Sequence, residues 1–276
     1  MPDIAMPKSS DYAAKKHPGV REVFRANTLW ILDTPAGVLS HPNPPHDRVA
    51  NALIRGAYDF QRELYRVEVP GDTQLQVHLV HRLDQETSGL IICTFSADAA
   101  ASLRQQWFDR DVEKEYRALV VGIPRGKIGE WCDHLVKGGG GGKVTVRMGQ
   151  GAANAITAYH VVETFDSSGL ALLSLKPETG RTHQLRVQSS TRRFPIAGDD
   201  RYGDFAANRY LAETVGLKHM FLHAYHLRLR HPKTGHLMRF EAPLTSRLAQ
   251  PLEQVRQLRK RVPTQRRDGA RKRKRR

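Results

Sequence analysis

The sequence predicts an α+β fold built on a mixed, largely antiparallel sheet with flanking helices and loops. Strand patterns outnumber helical ones, neighbouring strands are often joined by tight turns, and the helical stretches are few and inserted between them. These observations speak against a doubly wound parallel sheet, whose strands would alternate regularly with helices.

Residues 1–26 are polar, hold Pro2, Pro7, Pro18 and Gly19 without a sustained period, and read as a flexible lead-in. Order is expected from about Thr28. Leu29-Trp30-Ile31-Leu32 reads as a strand ending in the turn Asp33-Thr34-Pro35-Ala36-Gly37, where proline presets φ and glycine permits a positive one. Apolar residues at Val49, Leu53, Ile54, Ala57, Phe60 and Leu64 fall at helical spacing and predict a helix within 48–66. Leu75 to Leu79 alternates as a half-buried strand, and Gly89 to Phe95 is a second strand. Ser96 is a candidate N-cap for a helix that carries Leu103, Trp107 and Phe108 and ends near Arg110. Glu113 to Val121 alternates around Tyr116, Ala118 and Val120. Gly138 to Gly142, between Lys137 and Lys143, reads as a mobile loop tip. A hairpin over Ile156–Phe165 and Leu170–Leu175, a helix from Thr182 to Thr191, a strand pair over Met220–Arg230 and His236–Phe240, and a closing helix over Leu244–Leu258 complete the reading.

With 276 residues and 39% hydrophobic content the chain can fill a core. Its longest apolar stretches, such as Gly89 to Cys93, fall far short of the roughly 20 residues of a membrane helix. Met1 to Ser10 has no signal-peptide core, so a cytoplasmic protein without a membrane partner is expected. The formal charge is +16. Residues 259–276 hold 11 Lys or Arg and one acid, a net +10, leaving about +6 for residues 1–258. Such a self-repelling block reads as a disordered basic tail, and the globular part is expected over 27–258. The charge points to a polyanionic partner, with nucleic acid favoured over an acidic lipid surface.

Four polar constellations interrupt the patterning. His81-Arg82-Leu83-Asp84-Gln85-Glu86-Thr87-Ser88-Gly89 lies between two apolar strands. A carboxylate there is partly desolvated and needs a cation or hydrogen bonds to remain ionised. Asp84 reads equally as a turn cap, and Arg82 as a surface charge. Pro177-Glu178-Thr179-Gly180-Arg181-Thr182-His183-Gln184-Leu185-Arg186 crowds two arginines at a turn and helix start, and either could serve Asp84 or clamp a phosphate. Tyr116, among charges in Glu113-Lys114-Glu115-Tyr116-Arg117, fits cross-strand packing or stacking on a base. His219, His223, His226, His231 and His236 lack an accompanying acidic cluster, so no metal site is expected. No nucleophile elbow, Walker motif or dinucleotide fingerprint is present.

In order along the chain these segments resemble the RluA-type pseudouridine synthases. The resemblance rests on His81-Arg82-Leu83-Asp84-x-x-Thr87-Ser88-Gly89, Lys114-x-Tyr116-x-Ala118-x-Val120 and Thr179-Gly180-Arg181-Thr182-His183-Gln184-Leu185-Arg186-Val187. Pro195-Ile196-x-Gly198-Asp199-x-x-Tyr202-Gly203 and Leu222-His223-Ala224 with His231-Pro232-x-Thr234-Gly235 are similar to later signatures, so the likeness covers about Leu29 to Leu244. It implies a sheet of the pseudouridine synthase type and isomerisation of uridines in rRNA, with tRNA as the second candidate. It further implies Asp84 as nucleophile, Tyr116 as the ring against the target base and Arg186 as the salt-bridge partner of Asp84. Arg82 would enter the RNA stack where the base has left, Leu185 would pack beside the site, and Arg181 and His183 would contact RNA. The reaction breaks N1–C1′ and rejoins the uracil through C5, so no cofactor is expected; the partner is RNA and the protein a monomer.

Two positions depart from the family pattern. The early segment reads Asp33-Thr34-Pro35 where Asn-Lys-Pro is usual, which removes a cation, and Gln188 follows Val187 where histidine is common. The competing classes are a non-catalytic RNA-binding protein, which intact Asp84, Tyr116 and Arg186 oppose, and a metal-dependent nuclease, which needs a carboxylate cluster absent from the sequence.

Overall fold

The computed structural model describes residues 15–265 apart from 27, 45, 47, 48, 70–72 and 139–144. The chain forms two compact units, Met1–Glu113 with His226–Ala242 and Lys114–Tyr225 with Pro243–Arg276.

In the first unit the apolar runs are apolar because both strand faces are covered. Along β2 (Leu29–Thr34), Leu29 and Ile31 enter one hydrophobic cluster while Trp30 and Leu32 enter another. β6 (Ser88–Thr94) pairs antiparallel with β2 and divides the same way, Leu90 and Ile92 against Ile91 and Cys93. A strand buried on both sides has no polar phase to reveal its period. β1 (Arg21–Ala26) pairs with β2, and β3 (Ala57–Asp59), β4 (Leu64–Val69) and β5 (Thr73–Leu79) follow one another antiparallel to reach β6. Helix α1 (Ala97–Phe108) is capped as expected by Ser96, whose Oγ accepts the Ala99 N–H, and it buries Leu103.

The second unit holds the antiparallel series β7 (Glu113–Val121), β12 (Leu170–Pro177), β11 (Ala155–Phe165) and β8 (Ile128–Asp133). Period two again sorts β7: Leu119 and Val121 join Ala207 and Leu211 of α3 (Phe205–Thr214) and Leu248, Leu252 and Val255 of α4 (Ser246–Gln257). Ala118 and Val120 join Leu173, Leu175 and Leu185, the last from α2 (Gln184–Thr191). A separate hairpin pairs β9 (Leu135–Gly138) with β10 (Thr145–Met148). β13 (Leu222–Arg230) and β14 (Leu237–Glu241), which pair over residues 226–230 and 237–241 of the first unit, are the expected last strand pair.

Several expectations need correction. The lead-in contains β1, whose partner β2 supplies the order. The predicted helix within 48–66 is instead a loop leading into β3 and β4: a Cβ on Gly56 would come within 2.5 Å of the Arg66 carbonyl oxygen, so the chain doubles back on itself there. Asp59 Oδ1 accepts the Gln61 and Arg62 N–H groups and Glu63 adopts φ 53°, which is the turn that a helical wheel cannot see. Within the segment read as the basic tail, Val262 is 3% exposed and its N–H donates to the Ser168 carbonyl. Residues 266–276 and most of the glycine tract lie outside the described residues. Strands β8 to β10 and helix α3 were not foreseen.

Candidate active site

The loop after β5 carries Arg82 and Asp84, and a second strip of the first unit, Gly37 to His41, holds it residue by residue. Leu83 packs into the Trp30 cluster. Its backbone is bound at both ends by Ser40, whose Oγ accepts the Leu83 N–H (3.0 Å) and donates to the Leu83 carbonyl (3.1 Å). The Ser40 carbonyl in turn accepts the buried Tyr65 hydroxyl at 2.7 Å. On the other side of Asp84, the Gly37 N–H donates to the Gln85 carbonyl (2.7 Å), and the Thr87 N–H closes a turn on the Asp84 carbonyl (2.9 Å). His81 stacks on Trp107 with centroids 4.4 Å apart, and its Nε2 accepts the Ile92 N–H. Asp84 is half-buried and Arg82 exposed. One Arg82 Nη lies 3.2 Å from His41 Nε2. The nucleophile candidate is therefore carried on backbone that neighbours fix on both sides, as precise placement of a reacting group requires.

In the second unit Tyr116 stands on β7 opposite Leu175 and packs, with Leu185, in one cluster. The charges around it are spoken for. Glu115 accepts from Ser174 and pairs with Arg117 and Lys176; burial alone would raise its carboxyl, but these partners hold it below the usual range. Arg117 also lies over the Tyr225 ring.

Arg186 is 2% exposed and forms a two-pronged pair with Asp199, itself 1% exposed: Nε to Oδ2 at 2.8 Å and Nη2 to Oδ1 at 2.9 Å. Asp199 Oδ1 accepts the Arg201 and Tyr202 N–H groups as well. Burial alone would raise the Asp199 carboxyl, and Arg186 with those two donors outweighs it and holds the group below the usual range. Gly198 shapes this turn: its φ is +78°, and a Cβ would sit 2.2 Å from the His219 carbonyl oxygen. Its N–H donates to Asn208 Oδ1, while Asn208 Nδ2 donates to the Asp199 carbonyl.

His183 opens α2 in the left-handed region at φ 52°, with Nδ1 2.9 Å from the Tyr202 hydroxyl, which also accepts the Val146 N–H. Arg181 Nε donates to the Asn154 carbonyl, and Gln184 ties the turn to β11 through Ile156 and Thr157. Gln188, where the family pattern has histidine, is fully buried and bonded to Thr157 and Asp133. His231 accepts the Lys233 and Thr234 N–H groups, so it shapes its own turn. Among the described residues no three His, Cys, Asp or Glu side chains cluster as metal ligands.

Ser40, His41 and Asp199 escaped the reading of the sequence as site residues. Asp199 stood in a motif already singled out; Ser40 and His41 follow the Pro-Ala-Gly turn in a segment with no period, and only tertiary contact reveals them.

A model of the RNA pseudouridylate synthase family matches residues 28–191. Ribosomal large subunit pseudouridine synthase C of Salmonella typhi is 39% identical over 85% of this chain and 69% of its own length. The protein of that name from Escherichia coli K12 is 38% identical over 86% and 70%. Ribosomal large subunit pseudouridine synthase D of Nitrosomonas europaea is 33% identical over 86% and 65%. Among solved structures, human RNA Pseudouridylate Synthase Domain Containing 4 superposes with a TM-score of 0.61 at 25% identity, covering 85% of this chain and 92% of that one. With the ordered motifs and the antiparallel sheets, these likenesses establish that the chain belongs to the RluA-type pseudouridine synthases, isomerases that act on RNA.

Proposed function

We propose that the substrate is ribosomal RNA and that Asp84 is the nucleophile acting on specific flipped-out uridines. The observation that carries the reading is the loop at 81–88: a half-buried aspartate in the family motif, on backbone clamped at Leu83 and Gln85. The two bacterial relatives with the highest identity quoted above are named for the large ribosomal subunit, which favours rRNA over tRNA.

The isomerisation breaks N1–C1′, forms C5–C1′, and moves a proton from C5 to N1, so atoms and electrons balance within one nucleoside. Attack on the ribose, attack on the base and assisted elimination all begin from an ionised Asp84. Arg186 is the proposed salt-bridge partner that favours that ionised form. The Asp199 fork engages two of the five donors of a guanidinium, a geometry that fixes its plane. Flipping the uridine costs on the order of a few kcal/mol. Stacking against Tyr116, worth about 1–3 kcal/mol per base, and Arg82 in the vacated stack offset that cost. Leu185 closes the apolar side, Arg181 and His183 contact the RNA strand, and the enzyme works as a cytoplasmic monomer.

The test is to incubate the protein with bulk rRNA and tRNA from cells lacking it and map pseudouridine. New pseudouridine in large-subunit rRNA that disappears with Asp84→Ala is expected. Modification that survives Asp84→Ala overturns the assignment of the nucleophile, and modification of tRNA alone overturns the substrate.

A further inference from the structure

Arg82 is the exposed cation beside Asp84, and its side chain is held by a residue to which no role has been given. His41 lies flat on Tyr58, with ring centroids 5.0 Å apart and planes 13° from parallel, and Phe60 meets it edge-on at 6.4 Å. Its Nδ1 is 2.5 Å from the Pro42 carbonyl oxygen, which can only accept, so Nδ1 carries the proton. Nε2 then presents a lone pair, and the Arg82 guanidinium, which can only donate, sits 3.2 Å from it. Both bonds are satisfied together only by the neutral ring.

We propose that His41 is a positioning residue for Arg82, presenting its guanidinium to the RNA, and that protonation of His41 below neutral pH releases that arginine and weakens RNA engagement. This rests on the reading of Arg82 as an RNA-contacting residue. Protonation would remove the Nε2 acceptor and set two cations at hydrogen-bond distance. The groups around the ring are Arg82 from the 81–88 loop, Glu63 from the turn between β3 and β4, Tyr58 and Phe60 from β3 and its exit, and the Pro42 carbonyl. Burial lowers the His41 pKa first, and Arg82 lowers it further, against the raising influence of the Pro42 hydrogen bond and Glu63; the net direction is down. The neutral, arginine-holding form therefore prevails at pH 7 to 8 and gives way only as the pH falls below about 6.5.

Three measurements on the full-length protein decide it. Histidine-selective ¹⁵N NMR at pH 7.5 should show His41 neutral with the proton on Nδ1; a proton on Nε2 overturns the proposal without reference to RNA. Steady-state kinetics with large-subunit rRNA from cells lacking the enzyme should show KM rising about 3- to 10-fold in His41→Phe, as loss of one ordinary, solvent-exposed hydrogen bond implies, while kcat changes less. His41→Gln, which retains an acceptor, should recover part of the loss. The pH arm compares 5.5 with 7.5. Wild-type KM should rise towards pH 5.5, whereas His41→Phe should be flat, and in the Arg82→Ala background His41→Phe should add nothing. RNA affinity that improves on acidification, or a His41→Phe effect that persists without Arg82, overturns the proposal. A wild-type enzyme no more active than Asp84→Ala would instead sink the functional reading, while the tautomer measurement would still decide whether His41 holds Arg82.

Discussion

Replacing Asp199 by alanine removes the two-pronged partner of Arg186, a charge that is 2% exposed, and leaves the exposed Asp200 carboxylate 3.6 Å from its Nη2. Breaking a buried ion pair from one side costs about 3–5 kcal/mol, because the remaining charge keeps its desolvation penalty and loses its best-placed partner. Two backbone donors, the Arg201 and Tyr202 N–H groups, lose their acceptor as well, which keeps the expected loss within that range despite Asp200. At a urea slope of about 3 kcal/mol/M the unfolding midpoint should move down by roughly 1–1.7 M. Removing both charges, in Arg186→Met with Asp199→Leu, should return most of that stability, since a buried pair is close to neutral against apolar residues of similar size, and should leave the enzyme inactive. The pH dependence has a definite sign. The folded Asp199 pKa is lowered, so the stabilisation is fully present above the ordinary aspartate range, about pH 4, and is lost as pH falls through the folded value. The difference between wild type and Asp199→Ala should therefore be constant from pH 5 to 8 and shrink only in stronger acid. A urea midpoint within 0.3 M of wild type at pH 7 would refute the reasoning.

Three further perturbations follow from the same contacts. Ser40→Ala removes both side-chain bonds to the Leu83 backbone and should cost about 1–2 kcal/mol in urea unfolding, with a larger proportional fall in kcat than in rRNA affinity; unchanged kcat would show that the clamp does not place Asp84. Gly198→Ala introduces a Cβ 2.2 Å from a backbone oxygen at a φ of +78°, and should destabilise by about 2–4 kcal/mol or leave little folded protein, read by circular dichroism and urea melts. Deleting 266–276 removes eight basic residues and one acid while sparing buried Val262, so it should flatten the salt dependence of rRNA binding without changing the melting midpoint; an unaltered salt slope would exclude the tail from binding.

What the sequence showed and concealed follows from the range of the interactions involved. Alternation in β5 and β7, the Ser96 cap and the closing helix are set by neighbours within a few residues, and each was legible. The stretch 48–66 misled because its apolar residues serve loop and strand positions whose burial is fixed by distant partners: Ala52 bridges Leu39, Ile54 bridges Lys16, and Gly56 abuts Arg66. Strand β1 carried no apolar run because it is only half-buried, and its identity rests on the register Arg25↔Trp30 and Ala26↔Leu29. At the site, motif resemblance picked out the residues proposed to react but not those that hold them. Ser40 lies 43 positions from Leu83, and Asp199 lies 13 from Arg186, so neither pairing leaves a periodic trace.

On the proposed mechanism a single carboxylate reacts, and the holding residues bear on how it is placed. A side chain placed by long surface contacts would lose reactive geometry to rotamer freedom at each turnover. Asp84 instead sits between two residues bound through their backbone atoms, and Arg186 lies in a plane set by a buried fork. On the proposed reading of Asp84 as nucleophile, the placement of its loop is met during folding, which is what preorganisation demands. It follows that substitutions divide by where they act. Those at Ser40, Gly198 and Asp199 should lower stability and turnover together, whereas Asp84→Ala should abolish turnover with little loss of stability. A plot of turnover against unfolding free energy for these variants should place the first group along a common trend and Asp84→Ala well off it; an Asp84→Ala that fell on the trend would mark the aspartate as one more structural contact.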